Sequence, residues 1–339
     1  ATKHPEIFSS KAAFDRLGSP LPMVPIATDP PDHARYRRIL DPFFAPRRMA
    51  AMDAELRAQA SRIIDELAAR GSCDIVPDLA NLYPTQVFLT LFGLPLEDRE
   101  LLISWKDAIL ELTNPTNTEP SADLLTHAIE LYQYLSHYVT ERRGTTGDDL
   151  LSQLLASRDQ GGMTDEEIIG LAFLFVLAGL DTVASALGFS FATLVANPTL
   201  RGQLVAYPET IPDFIEEVLR VEGPVPFAPR VTTTDVTVAG VDIPAGSPVL
   251  VSFGAANRDP RRHEEPDRLD PTTAGRHYAF GGGPHRCLGS HLARLEMRIV
   301  LEEWHRRIPE YTLAGDRPQA RWPSGTLGLI SVPLRYPAH

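Results

Sequence analysis

Residues 280–289 read Phe-Gly-Gly-Gly-Pro-His-Arg-Cys-Leu-Gly and set one cysteine, Cys287, between a glycine-rich loop and a helix. Leu288, Leu292, Leu295 and Ile299 recur at helical spacing, and the pattern runs to Ile308 before Pro309 stops it. A cysteine at a helix N-terminus lies at the positive end of the macrodipole, which lowers its pKa and favours the thiolate. The glycines let the backbone pass close to something flat and turn N–H groups toward sulfur. The chemistry on offer is soft ligation of one metal position. The plain alternative is a core cysteine beside a Gly-Pro turn.

A second group is Ala178-Gly179-Leu180-Asp181-Thr182, inside the apolar run Ile168–Ala196. A buried acid is costly there unless something pairs with it. Gly179 weakens the helix, and Thr182 can bond back to a carbonyl one turn earlier, so a kink is expected. An opened turn leaves carbonyls free to hold water, through which Asp181 and Thr182 can pass protons. Glu217 and Arg220 stand three apart, which as an exposed pair is worth only about a few tenths of a kcal/mol. His33 and Arg37 stand four apart on one helix face.

The spacing Phe-x-x-Gly-x-His-x-Cys-x-Gly resembles the haem-binding loop of the cytochrome P-450 superfamily. Ala178–Thr182 is similar to that family's Ala-Gly-x-Asp/Glu-Thr oxygen-activation motif. The resemblance implies haem b with Cys287 as its axial thiolate and metal ligand. It places Phe280 against the loop, His285 at a haem propionate, and Gly289 and Ala178 beside the cofactor. It implies that Thr182 hydrogen-bonds dioxygen and that Asp181 supplies protons. His33, Arg37 and Arg230 match the family's propionate cations. Glu217, Arg220 and the Arg268 of Pro266-Asp267-Arg268-Leu269 match a structural charge triad behind the cysteine loop.

The implied function is that of a soluble, bacterial-type, cytoplasmic monooxygenase. One oxygen atom of O2 would enter a hydrophobic small molecule, with electrons from NAD(P)H through a separate ferredoxin or flavodoxin and its reductase. The expected docking face carries Arg286, His291, Arg294, Arg298 and His305, on the side of the helix that follows Cys287. The substrate would meet Pro20–Ile26, Leu174, Ala178, Val225, Phe227, Thr326 and Leu327, which are largely apolar. The rivals are a haem-thiolate peroxygenase or isomerase, a non-catalytic haem-binding sensor, and a cysteine protein without haem. The Asp181–Thr182 pair counts against the first.

The elements that must position these residues are mostly helices. The pattern predicts them over 51–69, 78–91, 96–110, 121–143, 148–157 and 164–196, with another from Pro212 to Gly223. Thr164-Asp165-Glu166-Glu167 reads as a capping box. Val- and Thr-rich stretches over 230–239, 248–253 and 327–334 predict short strands, with a hairpin at Ala239-Gly240. The expected fold is mainly α with small β-sheets (α+β), one domain over 1–339. By the same resemblance, the family's N-terminal strands and first helix are expected to be missing from this sequence.

Composition agrees. The 339 residues are 43% hydrophobic and 22% charged, as in a globular protein with ample core. A net charge of −12 argues against a nucleic-acid partner. Two cysteines, Cys73 and Cys287, do not make a disulfide scaffold. The apolar run is long enough to span a membrane. The capping box and Asp181 favour a buried core helix instead.

Overall fold

Proline and glycine set many of the element boundaries. The structure, a computed structural model, describes residues 1–15, 21–112, 122–158, 161–315, 317–321 and 326–338. Helix α1 spans Asp32–Leu40. Helix α2 spans Pro46–Ala68 and opens ahead of the expected Ala51. Pro46 takes the first helical position, where a missing N–H leaves nothing unsatisfied. A π turn at Val76–Ala80 precedes α3 (Leu82–Phe92), which Gly93 closes at φ 67° in the left-handed region. Helices α4 (Arg99–Leu112), α5 (Ala122–Glu141) and α6 (Leu150–Ser157) follow. Ser121 and Pro20, named from sequence, lie outside the described residues.

Helix α7 runs Asp165–Ala196. The Thr164–Glu167 capping box starts it, with both reciprocal hydrogen bonds present. One π turn, Val176–Leu180, interrupts it. The rest comprises α8 (Pro198–Ala206), α9 (Ile211–Val221) and α10 (Ser290–Arg307). Among the described residues α7 alone is long and apolar enough to cross a membrane, and most of it is buried inside the protein. The fold is mainly α with small sheets, as the sequence predicts.

Strands β1 (Phe8–Ser9), β3 (Phe227–Thr232) and β6 (Pro248–Ser252) form one antiparallel sheet in the order β1-β3-β6. Strands β4 (Val236–Val238) and β5 (Val241–Ile243) make the expected hairpin. Its two-residue turn has positive φ at both Ala239 and Gly240. The expected strand over 230–239 is therefore two strands, and the one over 248–253 ends where Ser252 caps a short helix. Strands β2 (Ser72–Asp74), β7 (Thr312–Leu313) and β10 (Pro333–Arg335) form a second sheet. Strand β8 (Gln319–Arg321) pairs with β9 (Gly328–Ser331). The single strand expected over 327–334 splits into β9 and β10 because the Val332 N–H leaves the ladder for the Asp74 carboxylate and Pro333 has none.

Two apolar clusters hold these elements. Leu56, Ile64, Phe191, Phe214 and Trp304 centre one, joining α2, α9, α10 and the second half of α7. Phe92, Leu102, Leu135, Leu171 and Leu180 centre the other, joining α3, α4, α5 and the first half of α7. Leu292 of α10 packs against both. Helices α2 and α10 also exchange ion pairs: Arg57 with Glu302 at 2.7 Å and Glu303 at 2.8 Å, and Arg298 with Asp53 at 2.5 Å.

Glu296 of α10 is buried, and its Oε2 has no hydrogen-bond partner among the described residues, as is true of the buried Tyr83 hydroxyl. Burial raises the Glu296 carboxyl well above its ordinary 4.5. An acid raised on folding contributes stability that is present below the unfolded value and lost as pH rises through the folded one. Glu296→Gln removes that loss. The variant is expected to be more stable than the parent by about 1–2 kcal/mol on the alkaline side, with convergence toward pH 4. Urea unfolding midpoints across pH read this directly, and a parallel pair of curves would refute it.

Candidate active site

The cysteine loop is wound by its own backbone. The Asn257 Oδ1 accepts from the Tyr278 N–H at 2.6 Å, and the Gly281 N–H donates to the Tyr278 carbonyl at 2.8 Å. The Cys287 N–H donates to the Phe280 carbonyl at 2.8 Å. Gly281 and Gly283 have φ of 66° and 68°, where other residues are strained. A β-carbon on Gly283 would meet the Thr2 carbonyl oxygen at 1.8 Å. Cys287 sits two residues before Gly289, the N-cap of α10, so it precedes the helix and is not within its first turn.

The cysteine is accessible to solvent, although enough protein lies around it for burial to weigh on its thiol. The sequence predicts a depressed thiol, and the balance runs the other way. Burial pushes the Cys287 thiol up, against the Gly289 N–H and the charges of Arg37, Arg294 and Arg286, which favour the thiolate. A coordinated metal cation deprotonates such a thiol outright.

The π turn of α7 carries a second accessible patch. Ala178 and Gly179 are exposed although Val176 and Leu180 beside them are buried. A β-carbon on Gly179 or on Gly289 would meet nothing within 4 Å. Leu288, next to the cysteine, packs against the same apolar cluster as Val176, Leu177 and Leu180. The Thr182 hydroxyl donates to the Ala178 carbonyl at 2.7 Å, one turn back, as anticipated for a kinked helix. Asp181 is buried and accepts a hydrogen bond from the Thr326 hydroxyl at 2.6 Å.

His33 and Arg230 gather around His285 of the loop. The His33 and His285 rings are 4.3 Å apart, and both His33 and Arg230 are buried. Burial, then the neighbouring His33 and Arg230, hold His285 down at about 4. Burial likewise lowers His33 and Arg230, with Asp29 the carboxylate common to all three. The His285 Nε2 is buried without a partner among the described residues. Two carboxylates brought here would give that nitrogen an acceptor and relieve the mutual repulsion. The donor set thus fits a haem: a soft sulfur ligand for iron, and for its propionates one arginine and two buried histidines whose protonated forms a carboxylate would favour. Arg37 also lies near His285 and Cys287. Its guanidinium bonds Asp41 at 2.7 Å and the Arg286 carbonyl at 2.6 Å, clipping α1 to the cysteine loop.

The Glu217–Arg220 pair is buried at 1% and 3% exposure, so it is no surface pair. Arg220 Nε and Nη2 each donate to the Glu217 carboxylate at 2.8 Å. Its remaining bonds go to the carbonyls of Asn257, Pro266 and Arg268. The expected triad is corrected here. Arg268 takes part through its carbonyl, while its guanidinium is exposed and pairs with Glu265. Sequence spacing cannot separate these roles.

The expected docking face is also altered. Arg286 and His291 are exposed. Arg294 makes a bidentate bond to Glu216 at 2.6 and 2.7 Å, and its guanidinium lies 4.4 Å from the Phe280 ring centre. Burial resists ionisation of Glu216, but the bonds from Arg294 and His277 outweigh it and hold the carboxyl at about 2. Arg298 pairs with Asp53 and Glu302. His305 is not on the face at all; it is buried against the Tyr311 hydroxyl. A groove of about 320 Å³ on this side is lined by Met49, Ile215, His291, Arg294, Leu295 and Arg298.

Of the residues expected around a substrate, Ala178, Phe227 and Leu327 are accessible, Val225 is half-buried, and Leu174 is buried. The 21–26 segment crosses α7 where Gly170 leaves room, since a β-carbon there would meet the Pro22 carbonyl oxygen at 2.3 Å.

The family model for cytochrome P450 matches residues 3–206 and 210–307. The mycinamicin IV hydroxylase/epoxidase of Micromonospora griseorubida is 35% identical, over 92% of this chain and 78% of its own length. The vitamin D(3) 25-hydroxylase of Pseudonocardia autotrophica is 36% identical, over 94% and 79%. Among solved structures, cytochrome P450 CREJ in complex with (4-ethylphenyl) dihydrogen phosphate superposes with a TM-score of 0.92. It is 29% identical, and the match covers 99% of this chain and 88% of that one. Matched from residue 3 to residue 307, and over 30% identical to hydroxylases along nine-tenths of its length, this chain belongs to the cytochrome P450 family of haem-thiolate monooxygenases.

Proposed function

We propose that the protein hydroxylates or epoxidises a largely apolar small molecule, with Cys287 as the haem ligand and Asp181 and Thr182 managing protons. The observation that carries this reading is the π turn of α7, with Ala178-Gly179 accessible and the Thr182 hydroxyl bonded back to Ala178, packed in the apolar cluster that Leu288 of the cysteine loop also joins. Bound haem supplies the iron chemistry by which one atom of dioxygen enters the substrate. His285 and Arg230, with His33 behind them, take the propionates. Phe280, covered by Arg294, walls the loop on the far side.

The Thr182 Oγ1 can exchange its bond to the Ala178 carbonyl for one to water, so that its hydroxyl can hold and pass a proton at the π turn. Asp181, one residue away, takes up a proton from water and releases it to replace the one that Thr182 passes on. Accessible Ala178, Phe227 and Leu327 hold the substrate mainly by shape. The named substrates of the relatives, mycinamicin IV and vitamin D(3), are small molecules of that kind. Electrons arrive from NAD(P)H through a ferredoxin or flavodoxin at the Arg286–His291 side, and the protein works in the cytoplasm.

The test is Thr182→Ala in the holoenzyme, driven by NADPH with a surrogate ferredoxin and its reductase. The share of dioxygen released as hydrogen peroxide is expected to rise about fivefold or more. An unchanged share would remove Thr182 from the proton path.

A further inference from the structure

We propose that Thr326 is a positioning residue for Asp181, holding the proton-delivering acid from a turn near the other end of the chain. This rests on the reading of Asp181 given above and adds the group that controls it.

The Thr326 hydroxyl donates to the Asp181 Oδ2 at 2.6 Å, across 145 residues of sequence. That is the length of a charge-assisted O–H···O⁻ bond. Asp181 is 2% exposed, so the orientation of its carboxylate is set by protein donors and not by bulk water. The donor is itself fixed from the opposite side. The Leu327 N–H bonds the Pro224 carbonyl at 2.7 Å, and the chain then enters β9, which packs on α7 with Leu329 against Gly188.

The type of residue matters. A lysine or arginine at this point would neutralise Asp181 and clamp it. A hydroxyl orients the carboxylate without cancelling its charge, and it can both donate and accept. Asp181 therefore keeps its capacity to take up a proton and release it toward Thr182. The placement also links the acid to the substrate side. Leu327 is accessible, and its N–H is tied to the segment carrying Val225 and Phe227.

The experiment compares Thr326→Val, Thr326→Ser, Asp181→Asn and the Thr326→Val/Asp181→Asn double variant as holoenzymes. NADPH, a surrogate ferredoxin and its reductase drive the reaction. Dioxygen takes two electrons and two protons to leave as hydrogen peroxide, or four of each to leave as water, and the partition is measured. Thr326→Val is expected to raise the peroxide-to-water ratio about tenfold, Thr326→Ser to restore it, and the double variant to match Asp181→Asn alone. Urea unfolding midpoints of the same four proteins give a second readout, in which the two single substitutions are non-additive.

A parental ratio in Thr326→Val while Asp181→Asn is altered overturns the inference and leaves the acid's role intact. A parental ratio in Asp181→Asn overturns both. Failure of Ser to rescue, or a further change in the double variant, assigns Thr326 to packing only. If the valine variant does not fold, Thr326→Ala is read in its place.

Discussion

A Cys287→Ser protein is expected to fold, yet to lose the strongly red-shifted Soret band of its reduced carbon monoxide complex. Oxygen insertion is expected to fall about a thousandfold or more, which corresponds to roughly 4 kcal/mol of barrier. The loop itself should survive. Its shape comes from the Cys287 N–H to the Phe280 carbonyl, the Gly281 N–H to the Tyr278 carbonyl and the left-handed glycines, and a serine keeps all of these. What is lost is a soft, ionisable ligand, since a serine hydroxyl is harder and far less acidic. The other cysteine cannot substitute. Cys73 lies in β2 opposite Leu334, and burial pushes its thiol up to about 12. The difference spectrum of dithionite-reduced protein with and without carbon monoxide decides it. A parental spectrum would remove Cys287 from the iron.

The residues that sequence exposes well are those whose neighbours in space are also neighbours in the chain. The cysteine loop is local, so Phe280 to Gly289 can be read as a unit. The π turn of α7 is local too, because Gly179 lies in it and Thr182 bonds back to Ala178 one turn earlier. Partners drawn from a distance are not legible. Nothing in residues 178–182 indicates that a hydroxyl from Thr326 will meet Asp181. A helical face read from spacing takes no account of what packs on it, and so spacing points His305 outward although Tyr311 covers it. The same blindness hides Glu216 from Arg294. The Cys287 thiol shows the limit in energetic form. The charges and N–H groups around it do favour the thiolate, but burial, which only tertiary structure sets, is larger. Backbone acceptors are the least legible of all, as Arg268 shows. Its side chain draws attention, and its carbonyl carries the contact.

That carbonyl is one of three on which the second large prediction depends. Arg220→Leu is expected to cost about 3–5 kcal/mol, because it strands the Glu217 carboxylate in the core without its cation. The loss is larger than for an ordinary ion pair. Arg220 also gathers the carbonyls of Asn257, Pro266 and Arg268, which no leucine can satisfy. Asn257 connects this to the cofactor. Its side chain fixes the Tyr278 N–H, and the Tyr278 carbonyl starts the turn that leads to Cys287. Haem retention should therefore fall along with stability, although Arg220 is not placed among the haem contacts. The double variant Glu217→Gln/Arg220→Leu tests the cause. Removing the charge on both sides should recover part of the loss, since a neutral amide in place of the Glu217 carboxylate leaves no unpaired buried anion. It should not recover all, because the three carbonyls remain without their donor. Urea unfolding, followed by circular dichroism and by the Soret band together, separates these terms. Equal destabilisation in the single and double variants would mean that the carbonyl contacts, and not the buried charge, hold the loop in place.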